Sequence, residues 1–316
     1  SSTLPAALKT GNLTVRPWSI VTQVLYNKET QKAKGVLVLD AETNQTIEYQ
    51  AKVVFLCASA LNSTWILLNS ATDIWPGGLG SSSGELGHNV MDHHYNLGAA
   101  GTIPGYLDKY VYGRRANGIY IPRFVNLNGD KRPYLRGFGY QGAASREGWQ
   151  RDVAELNIGA SLKEALTEPG NWKFGMTGFG EVLPDHRNRI YLHDTVKDKW
   201  GLPVLAMDAV LQQNELDMRK DIVAEAVAML EAVGATNINT WDDGHALGHG
   251  IHEMGTARMG NDAKTSVLNA YNQVWDCKNV FVTDGACMTS SACQNPSLTY
   301  MAITARAADY AVAELK

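Results

Sequence analysis

Along the first sixty residues, apolar and β-branched side chains alternate with polar ones. Residues 13–15, 19–26, 33–40 and 46–56 carry this period-two pattern, interrupted by polar turns at Asn27-Lys28 and Glu42-Thr43-Asn44. The pattern predicts a small antiparallel meander. Val53-Val54-Phe55-Leu56-Cys57 is apolar on both faces, as a central buried strand requires, and it runs into Ala58-Ser59-Ala60-Leu61-Asn62-Ser63, the opening of a helix that reaches about residue 70. A strand-to-helix turn of this kind lies at the carboxyl edge of a sheet, where α/β folds bind ligands.

Residues 75–87 shift to Gly, Ser and Pro and read as a connection, with a domain boundary near residue 90. Between 95 and 205 the pattern breaks into short strand candidates, among them 118–125, 135–140, 175–183 and 188–192, which together predict an antiparallel sheet. Residues 214–233 repeat Leu216, Ile222, Val223, Ala226, Met229, Leu230 and Val233 near helical spacing, with Gly234 as the stop, so an amphipathic helix should lie on that sheet. A last buried strand at 279–285 leads to a helix from Pro296 to the terminus, with Leu298, Met301, Ala302, Ala305 and Val312 on one stripe.

Composition adds limits. The 316 residues are 45% hydrophobic and 19% charged, an ordinary globular balance, with a formal net charge of −4 and no Lys/Arg run to meet nucleic acid or an anionic membrane surface. The longest strongly apolar stretch, 53–61, falls far short of the roughly 20 residues a membrane span needs. Cys57, Cys277, Cys287 and Cys293 have no C-x-x-C spacing and read as buried free thiols.

Chemistry concentrates in two segments. His252-Glu253-Met254-Gly255-Thr256-Ala257-Arg258-Met259-Gly260 sets an imidazole at the start of a glycine-bearing loop, where it serves either as a base near neutral pH or as a surface-loop histidine. Asp284-Gly285-Ala286 precedes Asn295-Pro296-Ser297-Leu298-Thr299, in which Asn295 reads as the N-cap and Pro296 as the first helical residue. Such a helix start caps itself and can also face an electron-rich cofactor edge. His245, His249 and His252 would need a helix to gather round a metal, and Gly244, Gly248, Gly250 and Gly255 oppose one. Asp92-His93-His94 reads as a loop with local hydrogen bonds rather than a ligand pair.

H-x-x-G-T-x-R-M-G at 252–260, the strand at 280–283, D-G-A at 284–286 and N-P-x-x-T at 295–299 resemble, in order and spacing, the carboxyl-terminal signature of glucose-methanol-choline (GMC) FAD-dependent oxidoreductases. Residues 12–24, 53–70 and Gly87-His88-Asn89-Val90-Met91-Asp92-His93 resemble upstream segments of the same family. Gly180-Glu181-Val182-Leu183-Pro184, residues 198–203 and Asn295 in place of a second histidine are most similar to the branch with gluconate, fructose and glucoside dehydrogenases and pyranose oxidase. Ala58-Ser59-Ala60 departs from the common A-G-A, and the G-x-G-x-x-G turn that grips a pyrophosphate is absent.

The resemblance implies a mixed α+β and α/β fold. A partial FAD-binding domain would span 1–92 and 277–316, with meander, buried strands and carboxyl-terminal helix, and a substrate-binding domain with an antiparallel sheet and helices on one face would span 93–276. It implies oxidation of an alcohol group of a sugar, sugar acid or polyol by hydride transfer to FAD, with His252 as general base and Asn295 bonding the same substrate oxygen. Cofactor contacts would fall on Val21, Ala58, Ser59, Asn89, Asp284, Gly285, Ala286, Pro296 and Thr299, with no metal. The partners it implies are an upstream FAD-binding segment and an electron-acceptor subunit, in the periplasm rather than the cytoplasm; without that segment the chain should bind FAD weakly or not at all. The alternatives are a non-catalytic subunit completing the site of a separate FAD-binding chain, a metal-dependent hydrolase using the histidine cluster, and a structural role with no ligand.

Overall fold

The computed structural model describes residues 2–109, 118–148, 158–167 and 169–314. A short helix, α1 (Thr3–Lys9), precedes the expected meander of β1 (Ser19–Asn27), β2 (Lys32–Asp40) and β3 (Thr46–Gln50), whose strands pair antiparallel in that order. Residues 13–15 are not a strand: Leu13 and Val15 are exposed and no strand among the described residues pairs with them. The run at 46–56 also divides. β3 stays with β2, while β4 (Val54–Leu56) leaves the meander to pair in parallel with a strand from the far end of the chain. Asn279 pins this change of partner, giving its amide hydrogens to the carbonyls of Ala33 and Lys52 at 2.8 and 2.9 Å and accepting Ala33 N–H at 2.8 Å.

β4 feeds α2 (Ala60–Asn69), and after the glycine-rich connection come β5 (Leu97–Ile103), β6 (Gly118–Ile121), β7 (Phe138–Arg146), α3 (Ala160–Thr167), β8 (Trp172–Gly180), β9 (Arg189–Lys197) and β10 (Pro203–Asp208). Then follow α4 (Gln213–Ala232), β11 (Thr236–Asp242), β12 (Gln273–Val274), β13 (Cys277–Val282) and α5 (Ser297–Glu314). The expected middle sheet is antiparallel, ordered β11-β5-β8-β7-β6, and β9 with β10 forms a separate hairpin. β6, β7, β8 and β9 overlap their predicted ranges with shifted ends, whereas β5 has no predicted bounds and β11 lies beyond the 95–205 stretch expected to form the sheet.

Helix α4 covers one face of that sheet. Met218, Ile222, Ala226 and Leu230 pack on Leu97, Ala99, Phe138, Tyr140 and Met176, all fully or nearly buried, and the Tyr140 hydroxyl donates to the Ile222 carbonyl at 2.5 Å. A Cβ at Gly178 would stand 2.1 Å from Ile222, so glycine lets the helix sit this close. Gln212 caps α4 in a reciprocal box with Glu215, so the helix begins at Gln213, one residue before the predicted start.

The parallel pair β4 and β13 is buried on both faces, as parallel strands require. Val54, Leu56, Val280 and Val282 join the core shared with α2, and on the other face Phe55 stacks on Phe281 at 4.7 Å beneath Ala307 and Ala311 of α5. This corrects the expected stripe of α5. Leu298, Met301 and Val312 are 77%, 56% and 57% exposed, and the opposite side, where small alanines permit close approach to the phenylalanine pair, is the buried one. Pro296 also shifts from the predicted first helical position to the cap, its carbonyl accepting Tyr300 N–H at 3.1 Å. Residues 315 and 316, included in the predicted helix, lie outside the described residues.

Candidate active site

Three segments far apart in sequence are laced together by backbone hydrogen bonds. Gly255, Ala257 and Met259 donate their N–H groups to the carbonyls of Gly285, Ala286 and Cys287 at 3.1, 2.9 and 3.0 Å. Met91 and Met254 exchange both bonds at 2.9 Å, and Gly87 N–H reaches the Thr256 carbonyl at 2.7 Å. The motif segments at 87–93, 252–260 and 284–286 thus form one body. Gly285 is required at the crossing, since a Cβ there would meet the Glu253 carbonyl at 2.2 Å.

His252 emerges from this junction buried, with its Nδ1 2.9 Å from Nδ1 of His93. The other nitrogen of His93 contacts the Ala292 carbonyl, and Phe179 of β8 stands edge-on to the His93 ring at 6.0 Å. Burial lowers the His252 pKa below its usual value, with the Asp92 carboxylate pulling the other way. The net shift is downward, which favours the neutral ring, the form able to accept a proton.

Asn295 is exposed, and its Oδ1 accepts a hydrogen bond from Gln141 Nε2 on β7. No hydrogen bond joins Asn295 to His252; the link between their segments runs through His93 and Ala292. Gln141 pairs across strands with Tyr120 on β6 and Thr177 on β8, and cross-strand partners project from the same face. Tyr120, Gln141, Thr177 and, two residues on, Phe179 therefore form the sheet face opposite α4, turned toward the histidines.

Val21 and Ala58 line a cavity of about 890 Å³ at the carboxyl end of β4, together with Val54, Cys57, Asn62 and Trp65. Ser59 follows with φ of 71°. Asn89 is buried, with φ of 62°, and donates to Glu85 at 2.6 Å. Asp284 is buried and saturated locally, taking the Ser63 hydroxyl and Ala286 N–H, while Ser63 in turn receives Ala58 N–H at 2.9 Å. That chain ties the cavity wall to the D-G-A turn. Burial raises the Asp284 pKa and these donors oppose it. Gly285, Ala286 and Pro296 are buried, whereas Thr299 is exposed at the start of α5. Among the described residues no group of three or more His, Cys, Asp or Glu side chains is placed to hold a metal ion.

The family described as GMC oxidoreductase matches at residues 1–95 and, in its carboxyl-terminal part, at 184–304. The chain belongs to the GMC oxidoreductase family. Among its GMC relatives, 2-methyl-1,2-propanediol dehydrogenase of Mycolicibacterium austroafricanum is 30% identical over 88% of this chain and 51% of that protein. The fructose dehydrogenase large subunit of Gluconobacter japonicus is 25% identical over 94% of this chain and 54% of that protein. A formate oxidase structure from Aspergillus oryzae shares the fold with a TM-score of 0.59 at 13% identity, covering 96% of this chain and 61% of that one. This GMC chain spans about half the length of the curated relatives it matches.

Sequence reasoning missed His93 and Gln141. The D-H pair at 92–93 was the available signal, since a histidine held by its neighbour's carboxylate in a buried turn is fixed in direction; nothing in the sequence marks Gln141 apart from other strand polar residues.

Proposed function

We propose that this chain carries the catalytic side of an FAD-dependent enzyme that oxidises an alcohol group of a sugar, sugar acid or polyol, with His252 as general base. The observation that supports it most directly is the buried imidazole of His252, held by a second histidine at the junction of the motif segments.

Two features of the chain fit FAD. The cavity bordered by Val21, Cys57 and Ala58 has the size and apolar walls of a site for a planar ring. Tyr300 Oη, about 3 Å from where a Cβ on Gly285 would lie, is buried with no hydrogen-bond partner among the described residues, which suits a polar ligand group beside the D-G-A turn. When bound, FAD supplies the hydride acceptor. Val21, Ala58 and Ser59 would border one part of it, and Asn89, Asp284, Gly285, Ala286, Pro296 and Thr299 another.

The chain's own residues would then hold the substrate and move its proton. His252 takes the hydroxyl proton; the Asn295 amide, oriented by Gln141, donates to the same oxygen; and the sheet face of Tyr120, Thr177 and Phe179 walls the ring or chain that bears it. In this scheme residues 1–92 and 277–316 serve the cofactor and 93–276 the substrate. The exposed apolar stripe of α5 and the free edge of β4 favour packing against further polypeptide, which suits an upstream FAD-binding segment. An electron-acceptor subunit is a second candidate partner.

Anaerobic mixing of the flavin-loaded full-length enzyme with polyols and sugars tests the reading. His252→Ala should slow flavin reduction by about 10²- to 10⁴-fold, and Asn295→Ala by less, through lost orientation. Unchanged reduction in His252→Ala would remove His252 from the mechanism.

A further inference from the structure

Two imidazoles and a carbonyl form a hydrogen-bonded chain whose direction is set by chemistry. The Ala292 carbonyl can only accept, so the Nε2 of His93 that contacts it bears a proton. Burial, and after it the neighbouring His252, holds the His93 pKa down to about 4, so the ring is neutral near pH 7 and its other nitrogen is bare. Nδ1 of His93 is therefore an acceptor. Nδ1 of His252, 2.9 Å away, must be the donor. The remaining nitrogen of His252, Nε2, has no hydrogen-bond partner among the described residues and is not sealed from solvent.

We infer that His93 is a positioning residue that locks His252 in its Nδ1–H tautomer, so that Nε2 is the atom that accepts the substrate proton. The lock deepens the proposed function and rests on reading His252 as the base, although the tautomer itself belongs to the chain and needs neither cofactor nor substrate. A neutral imidazole in water favours the Nε2–H form, which would put the proton on the atom that has to receive one. His93 is suited to prevent this because its own place is fixed. Its backbone N–H donates to Asp92 Oδ1 at 2.7 Å, its backbone bridges Glu181 just past β8, and the Phe179 ring stands against it. Turning the His93 ring over would put carbons against both Ala292 and His252, losing two hydrogen bonds at once.

The test is the tautomer of His252, read from two-bond ¹H–¹⁵N correlations of protein labelled at histidine, assigned by comparison with His252→Ala. The wild type should show a protonated Nδ1 and a bare Nε2 at His252. In His93→Leu the population should move to Nε2–H, and His93→Gln, whose side-chain oxygen can accept from Nδ1, should restore the original form. In the flavin-loaded enzyme His93→Leu should lower kcat by about 10²-fold or more with little change in KM, since a mis-set tautomer withdraws acid/base help without removing substrate contacts. An Nε2–H form in the wild type, or an unshifted tautomer in His93→Leu, overturns the lock. If His93→Leu does not fold, the wild-type and His93→Gln spectra decide. A tautomer that shifts as expected while His252→Ala still reduces flavin normally would retain the lock and discard the base.

Discussion

Asp92 accepts the backbone N–H of His252 at 3.2 Å, so the loop that carries the imidazole is folded round a carboxylate 160 residues upstream. The same carboxylate takes N–H groups from Gly250 at 2.8 Å, Gly248 at 3.0 Å and His93 at 2.7 Å. The wrap is tight enough that a Cβ on Gly250 would lie 2.5 Å from Asp92 Oδ1, and it forces Ile251, a β-branched residue, to φ of 57°. Burial pushes the Asp92 pKa up and the four N–H donors pull it back.

Asp92→Ala should accordingly destabilise the fold by about 2–5 kcal/mol, because each buried donor left without an acceptor is penalised by roughly 1–3 kcal/mol and water can reach some of them. Asp92→Asn should be intermediate, keeping one acceptor oxygen and placing an NH₂ among donors. Urea titrations read this as a lower midpoint at an unchanged slope. A change within about 0.5 kcal/mol in the alanine variant would contradict the role given to the carboxylate.

Gly255 tests the lacing between motifs. It has φ of 91° and a Cβ there would stand 2.2 Å from the Asn89 carbonyl, whereas Gly105, with φ of 83°, has nothing within 4 Å. Gly105→Ala should therefore show only the conformational penalty, about 1 kcal/mol, while Gly255→Ala adds an overpacking term of about 1–3 kcal/mol and separates the 252–260 loop from residue 89. Equal effects on thermal or urea unfolding would mean the 89–255 contact gives way freely.

The pattern-bearing parts of this architecture were legible: the meander, the buried 53–57 run, the amphipathic helix at 213–232 and the order of the motifs. Pairing choices were not. Nothing in residues 46–56 says that Asn279 divides them between two sheets, because the cause is a side chain over 200 positions away. For α5, periodicity showed an apolar stripe, and only the stacked Phe55 and Phe281 reveal that the alanine face is the one that packs. His252 and Asn295 were readable as candidates, but their supports, His93 and Gln141, act by direction in space, which a residue's identity does not encode.

Gln141 should matter in proportion to its hold on Asn295. Removing its Nε2 donor in Gln141→Leu frees the Asn295 amide to rotate, so the flavin-loaded enzyme should lose several-fold in kcat/KM, less than Asn295→Ala loses. The double variant should lose no more than Asn295→Ala alone, as expected for residues acting through one contact. Additive losses would place Gln141 on the substrate directly.

Acid stability depends in part on His94. This ring is buried with neither nitrogen hydrogen-bonded among the described residues, packed against Gly180, and burial, with Arg219 and His93 adding to it, lowers its pKa to about 3. In the unfolded chain the same ring titrates near 6.5. Between those values the unfolded state holds a proton that the folded state does not, so the contribution is fully present above about pH 6.5 and is lost as pH falls toward 3. The largest loss from one such group is about 1.4 kcal/mol per pH unit. His93, lowered to about 4, adds a second loss of the same sign, whereas Asp92 and Asp284, whose pKa values are raised, act in the opposite sense because their folded forms take up protons first. A total slope is therefore ambiguous, and the difference between wild type and His94→Leu isolates the group. Unfolding free energies measured in urea from pH 7 to pH 4.5 should fall more gently in His94→Leu, by close to one proton's worth of slope below pH 6. Parallel curves would show that His94 meets water or a proton in the folded protein, and the buried neutral ring described above would be wrong.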